Sequence, residues 1–179
     1  MNAGRVFWFF GLSGSGKTTL TTALAGILRK QGHVVLLLDG DVMRAGLCRD
    51  LGFSDAARTE NIRRAAELAR LAIAQGQVVL AAFITPREDL RRLAREIIGQ
   101  EHTDMIWVDA SLAVCRQRDP KDLYRQSALG NLPLMTGVHS AFEVPVAADL
   151  QLASDRHTVV ELCRELEAHC ARRLGNPGR

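Results

Sequence analysis

The sequence lacks a long apolar run and lacks paired cysteines. Its longest apolar runs, such as residues 34–38 and 78–84, are far shorter than a membrane span. The four cysteines form no C-x-x-C pair, which argues against a zinc site or a disulfide framework. The apolar run near the N terminus is too short for the core of a secretory signal. We therefore expect a cytoplasmic protein that does not contact membranes.

The chain also has little net charge and few aromatic residues. The net charge is only +3, aromatic residues make up 5% of the chain, and no basic stretch carries interleaved aromatics. A nucleic-acid partner is therefore not indicated. Arginines far outnumber lysines, which suits bidentate binding of phosphate groups, although a GC-rich genome would give the same excess.

Short apolar runs alternate along the chain with longer helical patterns, which predicts an α/β fold with a parallel sheet between helices. The predicted strands are residues 6–10, 34–39, 78–84, 105–109 and 150–153. The predicted helices are about residues 17–31, 56–74, 88–98, 111–118 and 159–174. The length suits one domain over residues 1–174, with a frayed tail at 175–179.

Residues 116–148 break this alternation. The segment has mixed character and contains three prolines and two glycines. A connection of that length in a compact domain is usually functional, such as a lid over a site. The other interpretation is a partly ordered excursion, but the basic residues at the start of the segment favour a lid.

One motif, at residues 11–18, indicates a phosphate-binding site, which we call the phosphate end. Residues 11–18, GLSGSGKT, match G-x-x-x-x-G-K-[ST] between an apolar strand and a helix, as a P-loop requires. Glycines let backbone N–H groups surround an anion at a helix N terminus. The predicted ATP contacts are Gly11, Ser13, Gly14, Ser15, Gly16, Lys17, Thr18 and Thr19. Lys17 is the predicted catalytic cation on the β- and γ-phosphates, and the Thr18 hydroxyl is a predicted Mg²⁺ ligand.

The P-loop predicts a P-loop NTPase three-layer sandwich: a five-stranded parallel sheet with helices on both faces and a lid segment. No guanine-reading N-K-x-D motif occurs, which disfavours a switch GTPase. The chain is also too short for most motor or transport ATPases. A small-molecule kinase that uses ATP and Mg²⁺ fits best.

Two carboxylates follow the second predicted strand. If Asp39 and Asp41 lie in an extended segment, their side chains point the same way, into the crevice at the carboxyl edge of the sheet. One would hold Mg²⁺, and the other would accept a proton from the attacking hydroxyl. Asp41 is the candidate base and a candidate metal ligand. The alternative for Asp39 is that it caps or turns the strand.

Polar side chains downstream indicate an anionic acceptor. Arg58 and Asn61 lie three residues apart on one helical face, and Arg44 precedes them. A guanidinium and an amide on one face suit a nucleotide that carries phosphate or sulfate. Each arginine alone is equally consistent with a solvated helix face, so the prediction depends on the cluster.

Six segments resemble the adenylylsulfate (APS) kinase family over residues 6–152. They are GLSGSGKTT, LDGDVMR, LGFSDAARTENIRR, FITP, VDASLAVCRQRDPKDLY and TGVHSAFEVP. The resemblance implies transfer of the ATP γ-phosphoryl group to the 3′-hydroxyl of adenosine 5′-phosphosulfate, which gives PAPS. It also implies a cytosolic homodimer with a small nucleotide as substrate.

The resemblance assigns roles to individual residues. Asp41 lies near the 3′-hydroxyl and Mg²⁺, and Asp39 borders the acceptor. The implied acceptor contacts are Arg44, Phe53, Arg58, Asn61, Phe83, Ile84, Thr85, Lys121 and Met135. Phe83 stacks on the base. Arg118 is an implied ATP contact, and Arg118 and Lys121 open a mobile lid over both nucleotides.

The sequence departs from the family pattern on the acceptor side. In F-I-S-P-x-R the serine is Thr85 and the arginine position is Glu88. Met135 replaces a phenylalanine that sandwiches the adenine, and His139 replaces an aspartate. These departures support a second hypothesis, a related kinase for the 3′-hydroxyl of another nucleotide such as cytidine diphosphoramidate. A non-catalytic nucleotide-binding subunit is a remote alternative, which the intact Lys17, Thr18 and Asp41 argue against.

Overall fold

The computed structural model describes residues 4–130, 136–138 and 140–174. Its five strands are β1 (Arg5–Phe10), β2 (Val35–Asp39), β3 (Val78–Ala82), β4 (Thr103–Asp109) and β5 (Leu150–Ala153). They form one sheet in the order β2-β3-β1-β4-β5, and every neighbouring pair is parallel. The predicted α/β class and five-stranded parallel sheet are confirmed.

Helices cover both faces of the sheet. The helices are α1 (Lys17–Lys30), α2 (Gly40–Ala45), α3 (Asp55–Ala74), α4 (Glu88–Ile98), α5 (Leu112–Arg118), α6 (Leu123–Ala128) and α7 (Val159–Leu174). Central strand β1 shows how the layers are divided. Trp8 and Phe10 pack in the core beneath α3 and α4, whereas Phe7 and Phe9 pack beneath α1 and α7. This alternation of side chains across one strand gives the three-layer sandwich.

The long helices and the strands lie within about two residues of their predicted bounds. Two short helices, α2 and α6, were not predicted, because each has only six residues and cannot establish a clear helical period. None of the described helices is long and apolar enough to span a membrane.

The segment predicted as a lid has both regular and irregular parts. The end of α5 and all of α6 lie in it, and an isolated bridge joins Thr136 to Ser140. Met135 and His139, with the predicted tail at 175–179, lie outside the described residues. The division into one domain and a tail remains a prediction.

Candidate active site

The P-loop connects β1 to α1 at the carboxyl edge of the sheet. Gly14 and Gly16 both have positive φ, 77° and 101°, and Gly16 caps α1 in the left-handed conformation. A Cβ at Gly14 would lie 2.9 Å from the Cys115 carbonyl oxygen, so the loop packs directly on α5. Any larger residue would strain the backbone that directs the N–H groups towards a phosphate.

Lys17 is held by carbonyl groups of the loop itself. Its Nζ donates to the carbonyl oxygens of Gly11 at 3.0 Å and Leu12 at 2.7 Å. Desolvation lowers the pKa of Lys17 to about 8, because burial disfavours the charged amine. A bound anion would favour that charge, so the loop is prepared for phosphate.

Asp39 contacts the P-loop directly. The Thr18 hydroxyl donates to Asp39 Oδ2 at 2.7 Å, and Asp39 Oδ1 accepts from the Asp41 backbone N–H at 2.9 Å. Asp39 is therefore the N-cap of α2, and Asp41 lies in the first turn of that helix. The predicted extended geometry for this pair is wrong, because the strand ends at Asp39, and the alternative that Asp39 caps the turn holds.

The oxygen atoms around Thr18 suit Mg²⁺. Thr18 and Asp39 supply a hydroxyl and a carboxylate, which are hard ligands of the kind that Mg²⁺ takes. The described residues contain no cluster of three or more acidic, histidine or cysteine side chains for a metal. Phosphate and water would complete the shell, which is usual for Mg²⁺ beside a nucleotide. Thr18 was predicted as a ligand together with Asp41, whereas the structure brings Asp39 to it.

Asp41 faces a cation from the segment predicted as a lid. Its Oδ2 pairs with Lys121 Nζ, and both side chains are largely exposed to the cavity. Lys121 follows α5 and comes from 80 residues further along the chain. The pair links the predicted base to the segment predicted as a lid, and the sequence did not predict this association.

Two arginines organise the loop before α3. Arg44 Nη1 donates to the Gly52 carbonyl at 2.7 Å, and its guanidinium lies 4.8 Å from the centre of the Phe53 ring. Arg58 Nε donates to the Phe53 carbonyl at 3.0 Å, and its Nη1 donates to the Thr136 hydroxyl at 2.8 Å. Burial lowers the pKa of both guanidinium groups from the usual value. Arg58 thus joins the acceptor end to the segment predicted as a lid.

Asn61 carries an oxygen that is free for a ligand. The residue is buried on α3 and lines the same cavity as Arg58. Among the described residues, its Oδ1 atom has no hydrogen-bond partner. A buried amide oxygen without a partner is costly, so it is suited to accept a hydrogen bond from a bound molecule.

The wall opposite α3 follows β3. Phe83 is buried and stacks on Trp8, with ring centres 5.0 Å apart and an interplanar angle of 20°. A Cβ at Gly40 would lie 3.1 Å from the Phe83 ring, which explains a glycine between the two aspartates. Ile84 and Thr85 continue the wall. Because β3 and β1 are neighbours, this wall lies beside the P-loop.

One cavity of about 1170 Å³ contains the phosphate end and the acceptor end. Every described residue that the sequence predicted for the site lines it, apart from Gly11; these are Ser13, Gly14, Ser15, Gly16, Lys17, Thr18, Thr19, Asp39, Asp41, Arg44, Phe53, Arg58, Asn61, Phe83, Ile84, Thr85, Arg118 and Lys121. Met135, the remaining predicted contact, is not described. This volume exceeds what one drug-sized ligand usually needs, so the cavity has room for two nucleotides.

Two residues that the sequence did not predict, Tyr124 and His157, lie around the phosphate end. Tyr124 donates its hydroxyl to the Ser13 carbonyl at 2.9 Å, and burial raises its pKa. Arg118, which was predicted as an ATP contact, donates from Nη2 to the Ser154 carbonyl at 2.7 Å. His157 lies in the cavity wall after β5. The one sequence signal that could have indicated this loop is its position just after a predicted strand. Ligands bind at the carboxyl ends of strands in α/β folds.

Glu88 does not line the cavity. Its carboxylate accepts from Arg91 Nε at 2.8 Å, and Arg91 is buried between the rings of Phe10 and Phe142. The acidic residue at the family's arginine position thus faces a buried cation rather than the acceptor.

Known proteins resemble the chain over most of its length. Residues 3–153 match the family model described as adenylylsulphate kinase. Adenylyl-sulfate kinases of Erwinia tasmaniensis and Escherichia coli K12 are each 47% identical over 163 residues, which are 91% of this chain and 81% of the relative. The structure of the Mycobacterium tuberculosis APS kinase CysC in complex with AMPPNP and APS matches with a TM-score of 0.91 and 35% identity, over 95% of this chain and 99% of that one. A Sinorhizobium meliloti gluconokinase, at 18% identity and a TM-score of 0.65, shares the fold.

Proposed function

Because the chain belongs to the adenylylsulphate kinase family, we propose that it phosphorylates the 3′-hydroxyl of adenosine 5′-phosphosulfate with ATP, giving PAPS and ADP. The observation that carries this proposal is the single cavity, which joins an intact P-loop to a cluster of arginine and asparagine side chains. The first part suits the triphosphate of ATP. The second suits an anionic nucleotide as acceptor.

The donor phosphates would bind at the N terminus of α1. The loop supplies backbone N–H groups and the positive end of the helix dipole. Lys17, which lies against the loop carbonyls, would turn to the β- and γ-phosphates and stabilise the charge on the departing ADP oxygen. Arg118, which contacts the carbonyls of Gly14 and Ser154, lies near enough to close the donor side.

Mg²⁺ would be held by the Thr18 hydroxyl and the Asp39 carboxylate, with Asp41 close by in the first turn of α2. The ion supplies neutralisation of phosphate charge when it is bound. Asp39 also has a role without the ion, since it fixes the start of α2 and hence the position of Asp41.

Asp41 is the proposed base. As the 3′-hydroxyl oxygen attacks the γ-phosphorus, the bond from that phosphorus to the ADP oxygen breaks, and the hydroxyl proton passes to the Asp41 carboxylate. Because phosphoryl transfer is largely dissociative, this carboxylate mainly orients the hydroxyl. Lys121, which pairs with Asp41, would bring a positive charge from the lid to the transferred group.

The acceptor would lie between α3 and the wall after β3. Arg44 and Arg58 supply charge for phosphate and sulfate oxygens, and the unpartnered Asn61 oxygen would accept from a hydroxyl or an amine. Phe83 presents an aromatic surface for the base. Phe53 is 58% exposed, so it would cover the nucleotide from the solvent side.

A different nucleotide as acceptor is the competing proposal. Of the departures that suggested it, Glu88 faces Arg91 rather than the cavity. Met135 and His139 lie outside the described residues, and Thr85 keeps the hydroxyl of serine. The described residues thus give no specific support to a cytidine nucleotide.

The family also suggests an assembly and a location for the protein. We propose a homodimer in the cytosol on the basis of the family. The four cysteines are free and buried, which suits a reducing compartment. The hexameric APS kinase from Thiobacillus denitrificans shares the fold at 27% identity, so a hexamer is the alternative to a dimer. Light scattering on the eluting peak of a sizing column would distinguish a dimer from a monomer or hexamer.

Product identification tests the proposed reaction. Purified protein with ATP, Mg²⁺ and APS should release ADP and form a nucleotide that is heavier than APS by one phosphate, located at the 3′ position by NMR. The Lys17→Ala variant should form none. ADP release without that product would indicate ATP hydrolysis and would contradict the proposal.

A further inference from the structure

Trp8 lies behind the acceptor wall and makes two contacts with it. The residue is fully buried on β1 and does not line the cavity. Its indole Nε1 donates to the Thr85 hydroxyl at 2.9 Å, and its ring stacks on Phe83 with centres 5.0 Å apart. Phe83 and Thr85 both line the cavity. One side chain outside the site therefore contacts two residues inside it.

Thr85 has a backbone conformation that needs support. Its φ is +40°, and positive φ is unfavourable for a β-branched residue. Such strain persists only where the surroundings impose it, and it is concentrated at functional sites. Here three hydrogen bonds hold the turn: Trp8 to the Thr85 hydroxyl, Arg91 Nη1 to the Thr85 carbonyl at 3.2 Å, and the Gly11 N–H to the Ile84 carbonyl at 3.2 Å.

The three hydrogen bonds differ in what they can control. The Gly11 bond belongs to the P-loop backbone, and Arg91 also binds Glu88 and the Glu143 carbonyl, so its removal would disturb several elements. The Trp8 bond ends at a side-chain hydroxyl, and the same indole supports Phe83. Of the three bonds, it alone ends on a side chain of the acceptor wall.

We propose that Trp8 is a positioning residue, which sets the affinity for the acceptor nucleotide by fixing Thr85 and the Phe83 ring. This inference rests on the proposed function, in which Phe83 and Thr85 face the acceptor. Trp8 does not touch the substrate. It acts by holding the wall in the conformation that contacts the base and the ribose. Binding then costs less conformational entropy, because the wall is already ordered.

Two near-isosteric changes at Thr85 isolate the hydrogen bond. Thr85→Val keeps the branched shape but removes the hydroxyl oxygen that accepts the hydrogen bond from Trp8. Thr85→Ser keeps that oxygen. Thr85→Val should raise the KM for the acceptor by about three- to tenfold, the factor expected for one hydrogen bond of ordinary strength. Thr85→Ser should raise the acceptor KM less than Thr85→Val does. The KM for ATP should not change in either variant.

Changes at Trp8 test whether the indole is responsible. Trp8→Phe should raise the acceptor KM at least as much as Thr85→Val, with the KM for ATP held within about twofold. The double variant should be no worse than Trp8→Phe, because one interaction cannot be lost twice. Trp107→Phe on β4 is the control, since Trp107 does not line this cavity. It should leave the acceptor KM unchanged.

The assays separate a positioning role from a core role. All are run well below the melting temperature of the least stable variant. If Trp8→Phe lowers the melting temperature but leaves the acceptor KM at the wild-type value, or raises both KM values equally, the proposal is overturned. Additive effects in the double variant would also contradict it. Turnover of APS by the wild type tests the proposed function separately, and the variants are compared with whichever nucleotide the wild type phosphorylates.

Discussion

The phosphate end and the acceptor end of the cavity are built differently. The phosphate end is one continuous loop, residues 11–16, whose conformation depends on glycine backbone angles. The acceptor end takes Arg44, Arg58, Phe83 and Lys121 from four separate segments, and each is held by tertiary contacts. A local motif therefore encodes the donor site almost completely. The acceptor site depends on the fold, so a substitution there can alter specificity without loss of phosphoryl transfer chemistry.

Removal of the P-loop cation should have the largest effect. Lys17→Ala should lower kcat/KM on the order of a thousandfold or more, because a pre-organised charge on the transferred phosphate is lost. Lys30→Ala is the matched control, since Lys30 lies in the last turn of α1, away from the cavity. ADP release by both variants is the measurement. Substantial turnover by Lys17→Ala would rule out the donor site described here.

The two carboxylates of the acceptor side should separate into different roles. Asp41→Asn should lower kcat on the order of a hundredfold with nucleotide affinity retained, because an amide cannot take the proton. Asp39→Asn should instead raise the Mg²⁺ concentration needed for half-maximal rate, since Asp39 contacts Thr18. Steady-state rates over a Mg²⁺ titration distinguish them. An Asp41→Asn enzyme with near wild-type kcat would remove Asp41 from the mechanism.

The depressed pKa of Lys17 predicts a pH dependence confined to the donor side. In the free enzyme this pKa is about 8, and bound phosphate raises it, so protonation favours binding. ATP affinity should be highest below pH 8 and weaken about tenfold from pH 7.5 to 9, as the free amine loses its proton. Calorimetric titration with a non-hydrolysable ATP analogue measures this. The dependence should vanish in Lys17→Ala, and a flat wild-type profile would contradict the prediction.

The smallest effect on catalysis is expected from substitution of Glu88, the acidic residue that departs from the family pattern. Glu88→Gln should change the acceptor KM by less than about twofold, because the Glu88 carboxylate pairs with Arg91 outside the cavity, and half-exposed ion pairs contribute little. Glu96→Gln, in a surface pair on the same helix, is the control. A large change for Glu88→Gln alone would show that this position does influence the acceptor.

The sequence predicted those parts of the molecule that depend on local patterns. Apolar runs predicted the strands, and glycine spacing predicted the P-loop, because each of these signals is contained in a short stretch of the sequence. The turn at Asp39 was predicted as extended, since the six residues of α2 form too short a helix to show a period. The Asp41–Lys121 and Trp8–Thr85 contacts join residues about 80 positions apart. No local pattern indicates such pairings, because they depend on the order of strands in the sheet.

The choice of acceptor is the most direct test of the central claim. With ATP and Mg²⁺ at saturation, kcat/KM should be measured for APS, for cytidine diphosphoramidate and for dephospho-coenzyme A under identical conditions, with ADP release as the readout. APS should give by far the largest value, together with the 3′-phosphorylated product. No rate above background with APS, together with turnover of a cytidine nucleotide, would contradict the claim and assign the acceptor site to another substrate.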